Sequence, residues 1–407
     1  MASESEQGPR TPLGSPSKRR RILVDPHATP TPAPHTVAPS DSASQAPSLT
    51  SSTSATSLRS SGRSSPTKQF GRLELHNPLK IHFDDFDGVG TDLGSGVNVL
   101  PPGLQEVRRQ LAAFSINQNI IPRRDQAAVA SLLQGSPYPI TDAAYYDDEE
   151  PFRVGPIVSL SDISTIVKAS RRCRADRAAE IVWNVEVHQE MLRRALRKNL
   201  CDIESGTTNF TICTSASIHN HVAKRSSTKM IDFCLYIDTD VLNHDEPGVA
   251  PAVERLRARS PTESVNHTGF ATLRKHPVAL SIESKKSDGS QDEAILQIGT
   301  WQAAQFLFLS KMQAAKGREL QGLEFLPGLI VQGADWHFVA ATRRGDETIV
   351  WTKQPIGSTT SPLGTYQVIR SIQYLAWWCQ EVYWTWFAQN MLDLVYVEEA
   401  LPSAVTG

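Results

Sequence analysis

The chain has 407 residues, 40% of them hydrophobic, enough to bury a large core and, by length, to build two or three domains. Forty-one Lys and Arg stand against 43 Asp and Glu, a formal net charge of −2, which excludes a globally basic nucleic-acid binder and makes any phosphate contact a local one. The five cysteines, Cys173, Cys201, Cys213, Cys234 and Cys379, form neither a C-x-x-C pair nor a zinc-like spacing, so they read as buried thiols in a reducing compartment.

Residues 1–70 are dominated by Ser, Thr, Pro and Ala and cannot bury enough apolar surface to order themselves, which predicts a disordered tail. Within it Lys18, Arg19, Arg20 and Arg21 form a compact basic run, a nuclear-signal candidate that an importin would read; its alternative is a solvated charge run in a cytoplasmic protein. No apolar signal region opens the sequence, and Gln380 and Glu381 break the most apolar late segment, so neither secretion nor a membrane span is expected.

Residues 71–175 read as an extended lead-in followed by a helical extension. Asp84, Asp85 and Asp87 do not have EF-hand spacing and predict a solvated acidic turn. Helical periodicity appears over 104–117 and 125–133, Asp147 to Glu150 predicts an exposed acidic loop, and Ser161 is placed to cap a helix over 161–173.

The segment 176–395 carries the candidate chemistry. A helix over 178–198 puts Ile181, Val185, His188, Leu192 and Leu196 on one side at 100° per residue, with Glu180, Asn184, Val187 and Met191 beside them and Glu186 on the wet face. His188 on that apolar side is expected to be a hydrogen-bonded core histidine. Strands follow over 209–218 and 229–238. In the second, Ile231, Phe233, Leu235 and Ile237 alternate with Met230, Asp232, Cys234 and Tyr236, so Asp232 is the odd residue out, a carboxylate that needs a partner or a cation. The letters His219-Asn220-His221 match the name of another nuclease class only by coincidence. The insertion 240–275 holds Arg255, Arg257 and Arg259, either a grip on phosphate or a solvated helix balanced by Glu254 and Glu263; Asp238 and Asp240, past the apolar segment of the strand, are ordinary turn residues that compete as ligands.

The stretch HPVALSIESK then predicts a strand with Val278, Leu280 and Ile282 on a core face and Ala279, Ser281, Glu283 and Lys285 on the other. Ser287, Asp288 or Ser290 can cap the next helix, in which Gln297 and Trp301 lie one turn apart and Gly299 suggests close packing on a sheet. Strands are expected over 326–331, 336–341 and 348–352, a Trp-rich helix over 365–394 should cover the sheet, and 396–407 is a tail.

Two neighbouring strands of this kind bring Asp232, Glu283 and Lys285 together, and hard oxygen ligands suit Mg²⁺ or Mn²⁺. An acid on one strand, an acid-x-Lys ending the next and a glutamine on the following helix resemble the PD-(D/E)XK nuclease superfamily. The wider frame of Glu180-x-x-Trp183-Asn184-x-x-Val187-His188, Met230-Ile231-Asp232, Ile282 to Lys285 and Gln297 to Trp301 is similar to a fungal group with a PD-(D/E)XK nuclease-like domain. Ile231 stands where the motif has proline. The resemblance implies a mixed α/β, restriction-endonuclease-like core, a central mixed sheet flanked by helices. It implies catalytic roles for Asp232, Glu283, Lys285, Glu180 and Gln297, and a metal held by Asp232, Glu283 and the Ser284 carbonyl. The implied activity is Mg²⁺- or Mn²⁺-dependent hydrolysis of nucleic acid, DNA ahead of RNA; the alternative is an inactive module that keeps the fold to bind nucleic acid or protein.

Overall fold

The computed structural model describes residues 65–75, 79–86, 100–134, 140–147, 154–198, 206–219 and 230–395. The basic run at 18–21, Asp87, residues 148–150, Cys201, Asn220, His221 and the 396–407 segment lie outside them.

Helix α1 (Pro66–Leu75) crosses the boundary expected at residue 70 and leads into β1 (Lys80–Asp85). Then come α2 (Pro102–Ser115), β2 (Ile121–Pro122), α3 (Gln126–Leu132), β3 (Tyr145–Tyr146), α4 (Leu160–Ala175), α5 (Glu180–Trp183) and α6 (Gln189–Leu196). The second half runs β4 (Thr208–Ile212), β5 (Phe233–Ile237), α7 (Thr239–Asp245), α8 (Val249–Arg259), β6 (Val278–Lys285), α9 (Gln291–Ala314), β7 (Phe325–Gln332), β8 (Asp335–Arg344), β9 (Glu347–Ser358), α10 (Pro362–Trp378) and α11 (Trp384–Asn390).

Seven strands form one mixed sheet in the order β1-β9-β8-β7-β6-β5-β4. The β1–β9 and β6–β7 pairs are parallel and the rest antiparallel. Parallel β6 and β7 need a long crossover, and α9 supplies it. It is capped by Ser290, whose hydroxyl accepts from Glu293 N, with Asp292 and Glu293 in its first turn. The helix lies against one face: a Cβ on Gly328 of β7 would come within 3.0 Å of Ile298, Gln302 and Val339, and one on Gly299 would meet Phe83 at 2.8 Å. The other face carries α10 with α2, α4 and α6; Trp336 of β8 meets His188 there, ring centroids 5.7 Å apart.

Helices on both faces explain why all eight residues of β6 are buried instead of alternating dry and wet. The fold is thus the mixed α/β, restriction-endonuclease-like architecture expected, with three local corrections. The lead-in adds a sheet strand: β1 pairs with β9, and Asp85 accepts from the Thr352 hydroxyl and the Lys353 ammonium instead of sitting in a solvated turn. Ser159, not Ser161, caps α4, accepting from Asp162 N at 3.2 Å. The helix over 178–198 does not keep one period. Asn184–His188 form a π-helical turn, and the wider turn rotates the buried stripe to Trp183, Asn184, Val187, His188, Met191 and Leu192. Ile181 and Val185, expected inside, are 61% and 52% exposed.

Cys173, Cys213, Cys234 and Cys379 are free and buried, as their spacing suggested. Among the described residues no helix is long and apolar enough to cross a membrane.

Candidate active site

Strands β5 and β6 are antiparallel neighbours, so the start of β5 meets the end of β6. Asp232 immediately precedes β5, its main chain fixed on both sides: its N–H donates to Ile282 O at 3.1 Å and its carbonyl accepts from Cys213 N at 2.6 Å. Glu283 and Lys285 lie on the α9 side of β6, since Glu283 is in register with Ile330, which packs under α9. Ser284, between them, points to the opposite side, toward the π-helical turn.

Lys285 Nζ is the centre of the charged group. It contacts Glu283 Oε1, donates to Ser284 O at 3.0 Å and stands 3.9 Å from Glu180 Oε2. Glu180, the first residue of α5, thus faces Lys285 as the resemblance implied, while Glu186 is exposed. Burial pushes the Glu283 carboxyl well above its ordinary range, and the Asp232 charge adds to this against the pull of Lys285. Burial likewise raises Glu180, opposed by Lys285. Burial works to lower the Lys285 ammonium, but Glu283, Glu180 and Asp232 together outweigh it and hold the charged form. Glu283 is only 1% exposed, and its second oxygen, Oε2, has no hydrogen-bond partner.

Asp232 Oδ2 accepts from both the main-chain N–H and the hydroxyl of Ser284, each at 2.8 Å. Ser284 Oγ also lies 2.7 Å from the Asn184 side-chain amide. Asn184 is in turn 2.9 Å from His188 Nδ1, and His188 Nε2 lies 2.7 Å from Gly333 O. His188 is therefore the hydrogen-bonded core histidine expected, its pKa lowered by burial to about 4. Gln297 reaches the Met230 carbonyl at 3.3 Å and steadies the approach to Asp232 without touching Lys285.

A separate grouping lies at the far end of the β5–β6 pair. Asp238, Asp240 and His276 bring one ligand atom each to within 4.8 Å of one another, the trio among the described residues that draws this close; Asp232, Glu283 and Glu180 do not. Two of its members already have work: Asp238 caps α7, accepting from Asp240 N and Val241 N, and His276 Nδ1 accepts from Thr239 N at 3.2 Å. The basic insertion folds as α8, where Arg257 pairs with Glu254. Arg259 lines a cavity of about 330 Å³ with Lys316 and Arg318, which both bind Asp393. His219 sits at a chain bridge, its N–H on His267 O at 2.9 Å.

Sequence reasoning missed the side chains of Asn184 and Ser284 and the carbonyl of Gly333. One signal was available: an asparagine on an apolar helix stripe is costly unless something in the core bonds it.

A mixed sheet between two helical layers, with an acid entering one strand and an acid-x-Lys leaving its antiparallel neighbour, defines a restriction-endonuclease-like protein. The sequence profile of the PD-(D/E)XK nuclease superfamily matches residues 133–384, and the chain belongs to that superfamily. No curated protein and no solved structure matches it. Membership suggests a nuclease-like function with nucleic acid as ligand, and nucleases of this superfamily typically use divalent metals.

The residues present fit such an ion. Asp232, Glu283 and the Ser284 carbonyl offer only oxygen, the donor type hard cations take. The unpartnered Oε2 of a buried carboxylate is an oxygen for which the protein itself supplies no proton donor.

Proposed function

We propose that the protein hydrolyses phosphodiester bonds in nucleic acid, with Asp232 and Glu283 as ligands of one Mg²⁺ or Mn²⁺ and the Ser284 carbonyl beside them. The observation that supports this best is the charge count around Lys285. Three carboxylates, Asp232, Glu283 and Glu180, surround one ammonium, so the fully ionised group carries two surplus negative charges, what one divalent cation neutralises. When bound, such an ion lowers the pKa of a coordinated water and polarises a phosphoryl oxygen.

The chain's own residues do the rest. Lys285, held charged, stabilises the negative charge that grows on the phosphoryl group as the water oxygen bonds to phosphorus and the P–O ester bond breaks. Glu283 fixes the Lys285 ammonium from the sheet side and Glu180 from the helix side. Gln297, through Met230, holds the strand that delivers Asp232. DNA is the first substrate and RNA the second. Location in the nucleus, through importin, is proposed from Lys18 to Arg21 alone.

Purified protein is incubated with single- and double-stranded DNA and RNA in Mg²⁺, Mn²⁺ or EDTA, beside Asp232→Ala. Cleavage that needs metal and Asp232 is expected. Binding of nucleic acid that persists in EDTA, with no cleavage under any condition, would replace this reading with that of an inactive binding module.

A further inference from the structure

Three polar groups stand in a row between the π-helical turn and the sheet: the Asn184 amide, Ser284 Oγ at 2.7 Å from it, and Asp232 Oδ2 at 2.8 Å beyond. If the amide presents its oxygen to Ser284, two O···O contacts share a single hydroxyl hydrogen, and one pair of oxygens is left to repel in the core. The other end of the amide raises the same problem. His188 Nε2 lies 2.7 Å from the Gly333 carbonyl, which can only accept, so Nε2 carries a hydrogen. In a neutral ring Nδ1 is then an acceptor, and an amide oxygen 2.9 Å from it would again pair two lone pairs. Burial of the whole ring keeps it neutral.

Turning the amide by 180° resolves both conflicts, and the two ends of an asparagine amide are nearly alike in shape. The hydrogens then match the contacts one to one. His188 Nε2–H donates to Gly333 O. Asn184 Nδ2 donates one hydrogen to His188 Nδ1 and the other to Ser284 Oγ. The single Ser284 hydroxyl hydrogen is left for Asp232 Oδ2.

We propose that Asn184, His188 and Ser284 are positioning residues for Asp232: the turned amide directs the Ser284 hydroxyl onto Oδ2 and so fixes which face of the carboxylate remains for a metal. This rests on the reading of Asp232 as a metal ligand. The ring that anchors the row is itself held, stacked on Trp183 at 5.9 Å and met edge-on by Trp336 at 5.7 Å. Asn184 and His188, the two ends of the π-helical turn, both face inward from it. Outer partners of this kind orient a ligating group, and losing one weakens metal binding by about 10- to 100-fold.

The test uses the full chain labelled with ¹⁵N-histidine, with His188→Gln to assign the ring signals. The ¹⁵N shifts should show a neutral His188 protonated on Nε2. Calorimetric titration of Mn²⁺ should give a Kd raised about 10- to 100-fold in Asn184→Leu and in Ser284→Ala. Both variants should lower kcat with KM for DNA little changed, and Ser284→Thr, which keeps the hydroxyl, should recover the parent values. A ring protonated on Nδ1 overturns the proposal even where Asp232-dependent Mn²⁺ binding is normal. So does an unchanged Mn²⁺ Kd in Ser284→Ala, the variant that removes one oxygen and leaves the packing in place. A parent protein that shows the Nε2–H ring but binds no Mn²⁺ sinks the metal-ligand reading and the positioning role with it.

Discussion

Lys285→Met removes the ammonium at the centre of the site while keeping an apolar stem of similar length. Glu283 is then left 1% exposed with neither oxygen paired, facing Asp232 and Glu180. Breaking a buried ion pair from one side costs about 3–5 kcal/mol when the remaining charge stays ionised. The carboxyl can escape by taking up a proton, so the loss depends on pH. Burial already holds the Glu283 carboxyl well above its ordinary range in the folded state, and losing Lys285 raises it further. A raised carboxyl favours the folded state below the unfolded pKa, and that contribution disappears as pH climbs through the folded pKa. Unfolding free energy in the variant should therefore fall as pH rises above the ordinary carboxyl range, by at most about 1.4 kcal/mol per pH unit. The fall should level off near the penalty for the broken pair, about 3–5 kcal/mol. In the parent protein Lys285 offsets the burial of Glu283, and the same window should be shallower. Urea unfolding of metal-free protein across this range measures it, the midpoint moving at constant slope. Glu283→Gln combined with Lys285→Met removes both charges of the pair and should flatten the profile. A pH-independent single variant, or a double variant as pH-sensitive as the single, would refute the account of this group.

Two further outcomes separate the candidate metal positions. Mg²⁺ at about 100 times its Kd should stabilise the parent protein by about 2.7 kcal/mol, read as a shift in the urea midpoint, and Glu283→Gln should abolish the shift. Asp238→Ala, which removes the α7 cap, should cost about 1 kcal/mol of stability and leave metal-dependent cleavage intact; loss of cleavage instead would move the metal to the Asp238, Asp240 and His276 group.

The sheet was largely legible because alternation and turn residues mark its strands. The stretch ending in Glu283-Ser284-Lys285 announced β6, and the alternation over 229–238 announced β5, which begins at Phe233, just after the acid. The face of the Glu180 helix was not legible, because a π-helical turn adds a residue to one turn without any mark in composition. A fixed 100° step carries Ile181 and Val185 inward, whereas the widened turn leaves them in solvent. The strand at 80–85 was hidden for another reason. Its aspartates look like a loop until Lys353 and Thr352, some 270 residues away, supply the partners of Asp85. The role of Ser284 also needed three dimensions: its carbonyl was foreseen as a metal ligand, and nothing local says that its hydroxyl bridges Asn184 and Asp232.

Gly333 opens the two-residue turn between β7 and β8, with φ at +57° and a Cβ position that would fall 2.2 Å from Ser287 Oγ. Its N–H holds the Lys285 carbonyl at 2.7 Å and its own carbonyl holds His188 at 2.7 Å. One glycine thus fastens both the lysine arm and the aspartate arm of the site, and a turn this tight has no slack to share between them. The length of that hairpin becomes a test to apply to other members of the superfamily. A relative with even one residue inserted there, or with a side chain in place of the glycine, must secure its two arms by some other means or has given up the site.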